Sequence, residues 1–149
     1  MSELTNAQVG RIGLSMAINY FTINGYTVSL PLNDTQWYDL IVEKDGKFYS
    51  VQCKATQTSD NTIDMRSSGG TKGTVYDNIL NHSELDYIFA VNKELECWLI
   101  PMEAIIESGN TKSFQLRTTF APTAHPKLDT TLYRVSTPII DTNFCKKAS

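Results

Sequence analysis

Apolar positions recur with two different periods along this chain. Between residues 7 and 21 the spacing is three and four: Val9, Ile12, Gly13, Met16, Ala17, Tyr20 and Phe21 form one stripe, and Gln8, Arg11, Ser15, Asn19 and Thr22 lie away from it. This spacing predicts an amphipathic helix starting at Ala7, capped by Thr5 or Asn6 and stopped by Asn24-Gly25. Leu14 and Ile18 make a narrower second strip, which is either extra core or a contact surface for another subunit.

The period then shortens to two. Tyr26 to Leu30 alternates as a strand does, and Pro31 to Thr35 supplies turn residues. From Tyr38 to Lys54 two apolar-rich runs flank Asp45-Gly46, a strong signal for a two-residue hairpin turn with positive φ at both central positions. Such a turn pairs Lys44 with Lys47, and stepping outwards sets Asp39 opposite Gln52. Alternation places Asp39, Ile41 and Glu43 on one face with Phe48, Ser50, Gln52 and Lys54. Leu40, Val42, Tyr49, Val51 and Cys53 take the other face.

Thr56 to Thr74 is polar, with Ser67-Ser68-Gly69-Gly70 at its centre, and reads as a loop or loose hairpin. Val75 to Asn81 is expected to form a short helix. Tyr87 to Val91 and Cys97 to Ile100 are expected to pair around an Asn92-Lys93-Glu94 turn. Pro101 suits the first turn of a helix over Met102 to Glu107, and Ser113 to Arg117 reads as a last strand. Phe120 to Thr131 reads as irregular, and the tail after Thr137 has no clear pattern. The order of elements implies an α+β or α/β fold, a mixed sheet covered by helices. No repeat or linker divides residues 1–149, which are expected to form one domain with a core over about 6–118. Residues 119–149 would be a C-terminal extension, a DNA-binding or oligomer arm.

Composition narrows the setting. The chain is 41% hydrophobic and 19% charged, as ordinary globular proteins are. No apolar run reaches membrane length and no signal-peptide pattern opens the chain, so the cytoplasm is the expected location and no membrane is involved. Cys53, Cys97 and Cys145 are odd in number and widely spaced, which fits free thiols better than a zinc site or a disulfide framework. A net charge of −3 argues against indiscriminate nucleic-acid binding, but not against a basic surface confined to one side.

The open end of the hairpin carries the candidate chemistry. Mg²⁺ or Mn²⁺ takes oxygen ligands in near-octahedral order. Asp39 offers a carboxylate, Gln52 an amide oxygen and Cys53 a backbone carbonyl, while Lys54 is placed to hold a water or to neutralise charge on a phosphoryl oxygen. The bland alternative is a solvated polar face, since Asp, Gln and Lys are mostly exposed residues.

The Asp…Gln-x-Lys arrangement resembles the PD-(D/E)xK nuclease superfamily, and more narrowly the group I intron homing endonucleases of the cyanobacterial type. Gly10-Arg11-Ile12-Gly13, Asn24-Gly25-Tyr26 and Trp37-Tyr38-Asp39-Leu40-Ile41-Val42 extend the likeness. So do Asp86-Tyr87-Ile88-Phe89-Ala90-Val91 and Trp98-Leu99-Ile100-Pro101. The resemblance covers most of residues 6–118. It implies a restriction-endonuclease-like core, Mg²⁺-dependent hydrolysis of double-stranded DNA and a homo-oligomer, dimer or tetramer. It also implies Asp39 and Gln52 as metal ligands and Lys54 as the residue that positions water or stabilises charge.

One position departs from that pattern. Such nucleases usually carry a glutamate on the first helix where this chain has Leu14. Leucine neither binds Mg²⁺ nor activates water. Three readings stay open: a nuclease weakened or deliberately inactivated at this position, a nuclease-like protein that binds DNA without cutting it, and a plain interaction protein. Arg66, Ser68 and Lys72 in the polar segment, with Thr58 after the strand, are the residues expected to contact DNA. Asp34 and Asp64 are the nearest further acids. His82 and His125 lack partners at ligand spacing, and Trp37 and Trp98 read as core or interface aromatics.

Overall fold

The computed structural model describes residues 3–33, 35–68, 76–78, 84–109, 112–120 and 128–136. The first helix, α1, spans Asn6–Ile23. Its N-cap is Thr5, whose hydroxyl accepts the Gln8 N–H at 3.2 Å while the Gln8 side chain accepts the Thr5 N–H at 2.8 Å. This reciprocal pair satisfies two of the donors that a helix start leaves open. Gly13, Ala17 and Phe21 are buried, and all five residues of the expected polar face are exposed.

Six strands form the main sheet: β1 (Thr27–Ser29), β2 (Leu40–Lys44), β3 (Lys47–Ala55), β7 (Tyr87–Val91), β8 (Cys97–Pro101) and β10 (Arg134–Val135). They lie in the order β1-β2-β3-β7-β8-β10. The β3–β7 pair is parallel and every other pair is antiparallel, so the sheet is mixed as expected. A parallel pair needs a long crossover. Here the crossover carries β4 (Thr62–Asp64), β5 (Arg66–Ser68) and β6 (Tyr76–Asn78). β4 pairs with β9 (Ser113–Gln115), and β5 pairs with β6.

The hairpin keeps the register that its turn dictates. Lys44 faces Lys47 and Leu40 faces Val51. Asp45 and Gly46 both have positive φ, 54° and 78°, as the mirror-image turn requires. A one-residue slip would move every side chain to the opposite face.

Two apolar layers sandwich the sheet. Leu40, Val42, Val51, Phe89, Val91 and Cys97 pack with Ala17 and Phe21 of α1, and Cys53 and Ala55 join them. Leu14 and Ile18 pack into this same layer, which supports the extra-core reading of the second helix strip. On the other face Ile88, Ala90, Trp98 and Ile100 pack with Ile63 and Met65 from around β4, with Phe114 and Leu116 from around β9, and with Met102 and Ile105. The last two belong to helix α2, Met102–Ser108. Trp98 is fully buried and its indole N–H donates to the Arg117 carbonyl at 3.2 Å. Trp37 packs against that layer.

Some expectations are corrected. The helix expected over Val75 to Asn81 is not formed at 76–78, where β6 pairs with β5 instead. Backbone groups in so short a segment are satisfied by a neighbouring strand, which local sequence does not reveal. Pro101 is the N-cap of α2 rather than part of its first turn, because its extended backbone (ψ 135°) still ends β8. Ser113–Gln115 is not the last strand, since Arg134–Val135 adds to the edge of β8. Within the segment expected to be irregular, Thr130–Tyr133 forms a 3-10 helix, and Leu128 and Thr130 are buried. Neither Cys53 nor Cys97 is joined in a disulfide, and the Cys97 thiol donates to the Leu95 carbonyl at 3.6 Å. Asp34, Lys72, His82, His125 and Cys145 lie outside the described residues, as does the tail after 136.

Candidate active site

The hairpin ladder ends at Leu40. Just beyond it the Asp39 N–H donates to the Val51 carbonyl at 2.9 Å, and the Asp39 carboxylate accepts the Cys53 N–H at 2.8 Å. Asp39 is therefore clasped to the residues on both sides of Gln52. Its carboxylate takes the place that the next backbone carbonyl of β2 would have filled. The bond costs the carboxylate none of its charge and fixes its direction.

β3 alternates as the sequence requires. Val51, Cys53 and Ala55 turn towards α1, so Gln52 and Lys54 stand on the opposite face. Across the β3–β7 ladder Gln52 faces Ile88 and Lys54 faces Ala90, two members of the second layer. Gln52, Cys53 and Lys54 are all half-buried. Gly13 lets α1 approach here: a Cβ at that position would lie 3.3 Å from the Ala55 Cβ and 3.4 Å from the Lys54 carbonyl oxygen.

Burial shapes the ionisation of all three titratable groups. It raises the Asp39 pKa, against the opposing pull of the Cys53 N–H and the Lys54 charge. It lowers the Lys54 pKa, against the attraction of Asp64 and then Asp39. It holds the Cys53 thiol well above its ordinary range, and the Asp39 charge adds to this. Cys53 is thus a neutral thiol whose contribution to a site is its backbone. Strong perturbation of neighbouring groups by desolvation is a feature of functional sites. Among the described residues no group of three His, Cys, Asp or Glu side chains converges.

The other expected residues fall in several places. Leu14 lies in the α1 layer with Val51 and Cys53, not among Gln52 and Lys54. The Thr58 hydroxyl is engaged locally, 2.8 Å from the Thr56 hydroxyl and 3.3 Å from the Thr62 N–H that it accepts. Thr58 still lines a cleft of about 990 Å³ at the end of β3, together with Thr56, Gln57, Asp64 and Lys93. Arg66 and Ser68 lie on β5, in register with Asn78 and Tyr76. Sequence reasoning did not single out Lys93. It sits in the turn between β7 and β8, and only the parallel pairing of β7 with β3 carries that turn to the end of β3.

No helix among the described residues is long and apolar enough to cross a membrane. No curated protein sequence matches the chain. The bacterial homing endonuclease I-Ssp6803I has a similar structure, with a TM-score of 0.63 at 21% identity over 87% of each chain. That likeness shows a shared restriction-endonuclease-like fold. The family model for PD-(D/E)XK endonucleases matches residues 5–136. The chain belongs to the PD-(D/E)XK endonuclease family.

Proposed function

We propose that this protein is a divalent-metal-dependent endodeoxyribonuclease of the homing type, hydrolysing phosphodiester bonds of double-stranded DNA with Asp39, Gln52 and Lys54 at the reacting centre. The observation that carries the reading is the clasp of Asp39 onto β3, which sets its carboxylate beside the strand bearing Gln52 and Lys54.

The donors fit a hard cation such as Mg²⁺ or Mn²⁺. Asp39 would hold it through its carboxylate, Gln52 through its amide oxygen and Cys53 through its carbonyl. When bound, the cation supplies a more acidic water and neutralises charge on the phosphate. The Lys54 ammonium, its pKa lowered by burial, hydrogen-bonds the attacking water or a non-bridging oxygen and stabilises the charge that builds there. The water oxygen forms a new P–O bond while the bond to the leaving sugar oxygen breaks. The water loses one proton, the leaving oxygen gains one, and nothing is oxidised or reduced.

One hairpin provides one reacting centre, so cutting both strands calls for a homo-oligomer, dimer or tetramer. Thr58, Arg66, Ser68 and Lys72 are the proposed DNA contacts. Lying beside a net charge of −3, they should give binding that weakens steeply with salt. A role in intron homing and a cytoplasmic location belong to the same proposal.

Leu14 favours a second reading, in which the protein binds DNA and cuts slowly or not at all. Supercoiled plasmid incubated with Mg²⁺ or Mn²⁺ separates the two. Nicking or linearisation that Lys54→Ala abolishes, and that Leu14→Glu accelerates, supports the nuclease. DNA binding with no cleavage by the wild type or by Leu14→Glu supports the binding protein.

A further inference from the structure

Residues 76–78 form a strand where the local sequence predicts a helix, and that strand gives the crossover a shape of its own. β5 and β6 make a two-stranded sheet, separate from the main one. The ribbon leaves the body of the protein on the side of the candidate site. Met65, the residue before it, is fully buried in the layer that holds Ile88 and Ala90, the ladder partners of Gln52 and Lys54. The Met65 N–H donates to the Lys112 carbonyl at 2.9 Å, which pins the start of β5. Register places Arg66 opposite Asn78, Ser67 opposite Asp77 and Ser68 opposite Tyr76. Strand alternation then assigns Arg66, Ser68, Tyr76 and Asn78 to one face of the ribbon, and Ser67 and Asp77 to the other.

We propose that the β5–β6 ribbon reads base edges in the major groove of double-stranded DNA, with Arg66 and Asn78 addressing neighbouring base pairs. The role rests on the DNA-binding reading above and assigns the residues that select sequence. A two-stranded ribbon fits the major groove, about 12 Å wide, and each base pair presents a distinct pattern of donors and acceptors there. Arginine pairs bidentately with guanine N7 and O6, and asparagine with adenine N7 and N6. Directly opposed residues of an antiparallel pair lie about 4.5–5.5 Å apart, close to the roughly 3.4 Å between successive bases of a strand. Arg66 and Asn78, opposed in register, therefore match adjacent base pairs, a G·C beside an A·T. Ser68 and Tyr76 come next on the same face and offer hydroxyls to bases or phosphates. A carboxylate on that face would repel phosphate, and alternation keeps Asp77 off it. A chain of net charge −3 also has little general attraction for DNA, so recognition is expected to concentrate on a small surface of this kind.

Selection of bound duplexes from a randomised DNA pool by the full chain tests the assignment without turnover, in a Lys54→Ala background that keeps the recovered DNA intact. The selected duplexes should share a G·C pair beside an A·T pair at a fixed place. Arg66→Ala should lose the preference for the guanine, and Asn78→Ala that for the adjacent adenine, each by about tenfold, with unchanged circular dichroism spectra. Arg66→Lys and Asn78→Gln keep bidentate pairing and should retain both preferences. Ser67→Ala, on the other face, should leave the selected sequence as it is. Equal weakening on all sequences with base preferences unchanged overturns the role of the ribbon and leaves DNA binding standing. Preferences lost at positions several base pairs apart overturn it as well, because opposed residues cannot span them. Failure of the chain to bind any duplex at about 50 mM salt, where phosphate contacts are strong, overturns the DNA-binding reading itself. If Asn78→Ala fails to fold, Asn78→Asp is read in its place: a carboxylate cannot donate to adenine N7, so an unchanged preference for adenine overturns the role of Asn78.

Discussion

The Asp39 carboxylate accepts the Cys53 backbone N–H at 2.8 Å. A side chain here finishes a ladder that the main chain of β2 leaves one step short. Removing it strands a half-buried donor. Asp39→Ala is expected to destabilise the fold by about 1–3 kcal/mol, the cost of an unmet backbone group. Asp39→Asn keeps an acceptor oxygen and sheds a charge that burial disfavours, so it should stay within about 1 kcal/mol of wild type. Urea unfolding of the three proteins measures the difference.

The same carboxylate gives a pH signature. Burial raises its folded-state pKa above the unfolded value, so the folded protein binds the Asp39 proton more tightly than the unfolded chain does. Its contribution to stability is complete below the unfolded pKa and is lost as pH rises through the raised folded pKa. Comparing wild type with Asp39→Asn between about pH 3 and about pH 7, which spans the ordinary carboxylate range, should show wild type losing ground as pH rises. A constant difference across that range would contradict the burial account.

Gly13 governs how closely α1 sits on β3. Its missing Cβ would lie 3.3 Å from the Ala55 Cβ, so a branched side chain has no room without moving the helix. Gly13→Val should cost about 1–3 kcal/mol through overpacking. Hydrogen exchange should quicken at the amides of Lys54 and Ala55. A thermal melt equal to wild type would show that the helix gives way freely.

The turn between β7 and β8 offers a gain and a loss. Leu95 has a positive φ of 62°, a strained position for a side-chain-bearing residue. Leu95→Gly relieves that strain and should stabilise by up to about 1 kcal/mol after the entropy of the freer unfolded chain is counted. Asn92 is buried, with its side chain donating to the Glu96 carboxylate at 3.0 Å and accepting the Glu96 N–H at 2.8 Å. Asn92→Ala should cost about 1–3 kcal/mol by leaving those partners unmet. Denaturant midpoints of the two variants should move in opposite directions.

The local parts of this protein were legible in its sequence because each rests on nearest-neighbour physics. Thr5 and Gln8 cap α1, Asp45-Gly46 set the turn, and the turn sets which residues of β2 and β3 face each other. From these alone Gln52 and Lys54 share a face, while the ladder stops at Leu40 opposite Val51, one step short of the Asp39–Gln52 pair that the turn predicts. Where two elements meet over a long separation, the sequence is silent. It does not show that Tyr76–Asn78 pairs with β5, that Arg134–Val135 closes the sheet edge, or that Lys93 reaches the end of β3. Those outcomes depend on which partner satisfies a short strand's backbone groups, and many partners satisfy them equally well in one dimension. The acids show the same divide. The sequence alone determined that position 14 holds a leucine and that Asp64 lies near the motif. Only the tertiary structure decided that Leu14 packs beneath α1 and that the strand bearing Asp64 covers the face of Gln52 and Lys54, because packing of Ile63 and Met65 onto Ile88 and Ala90 fixes which face that strand can bury.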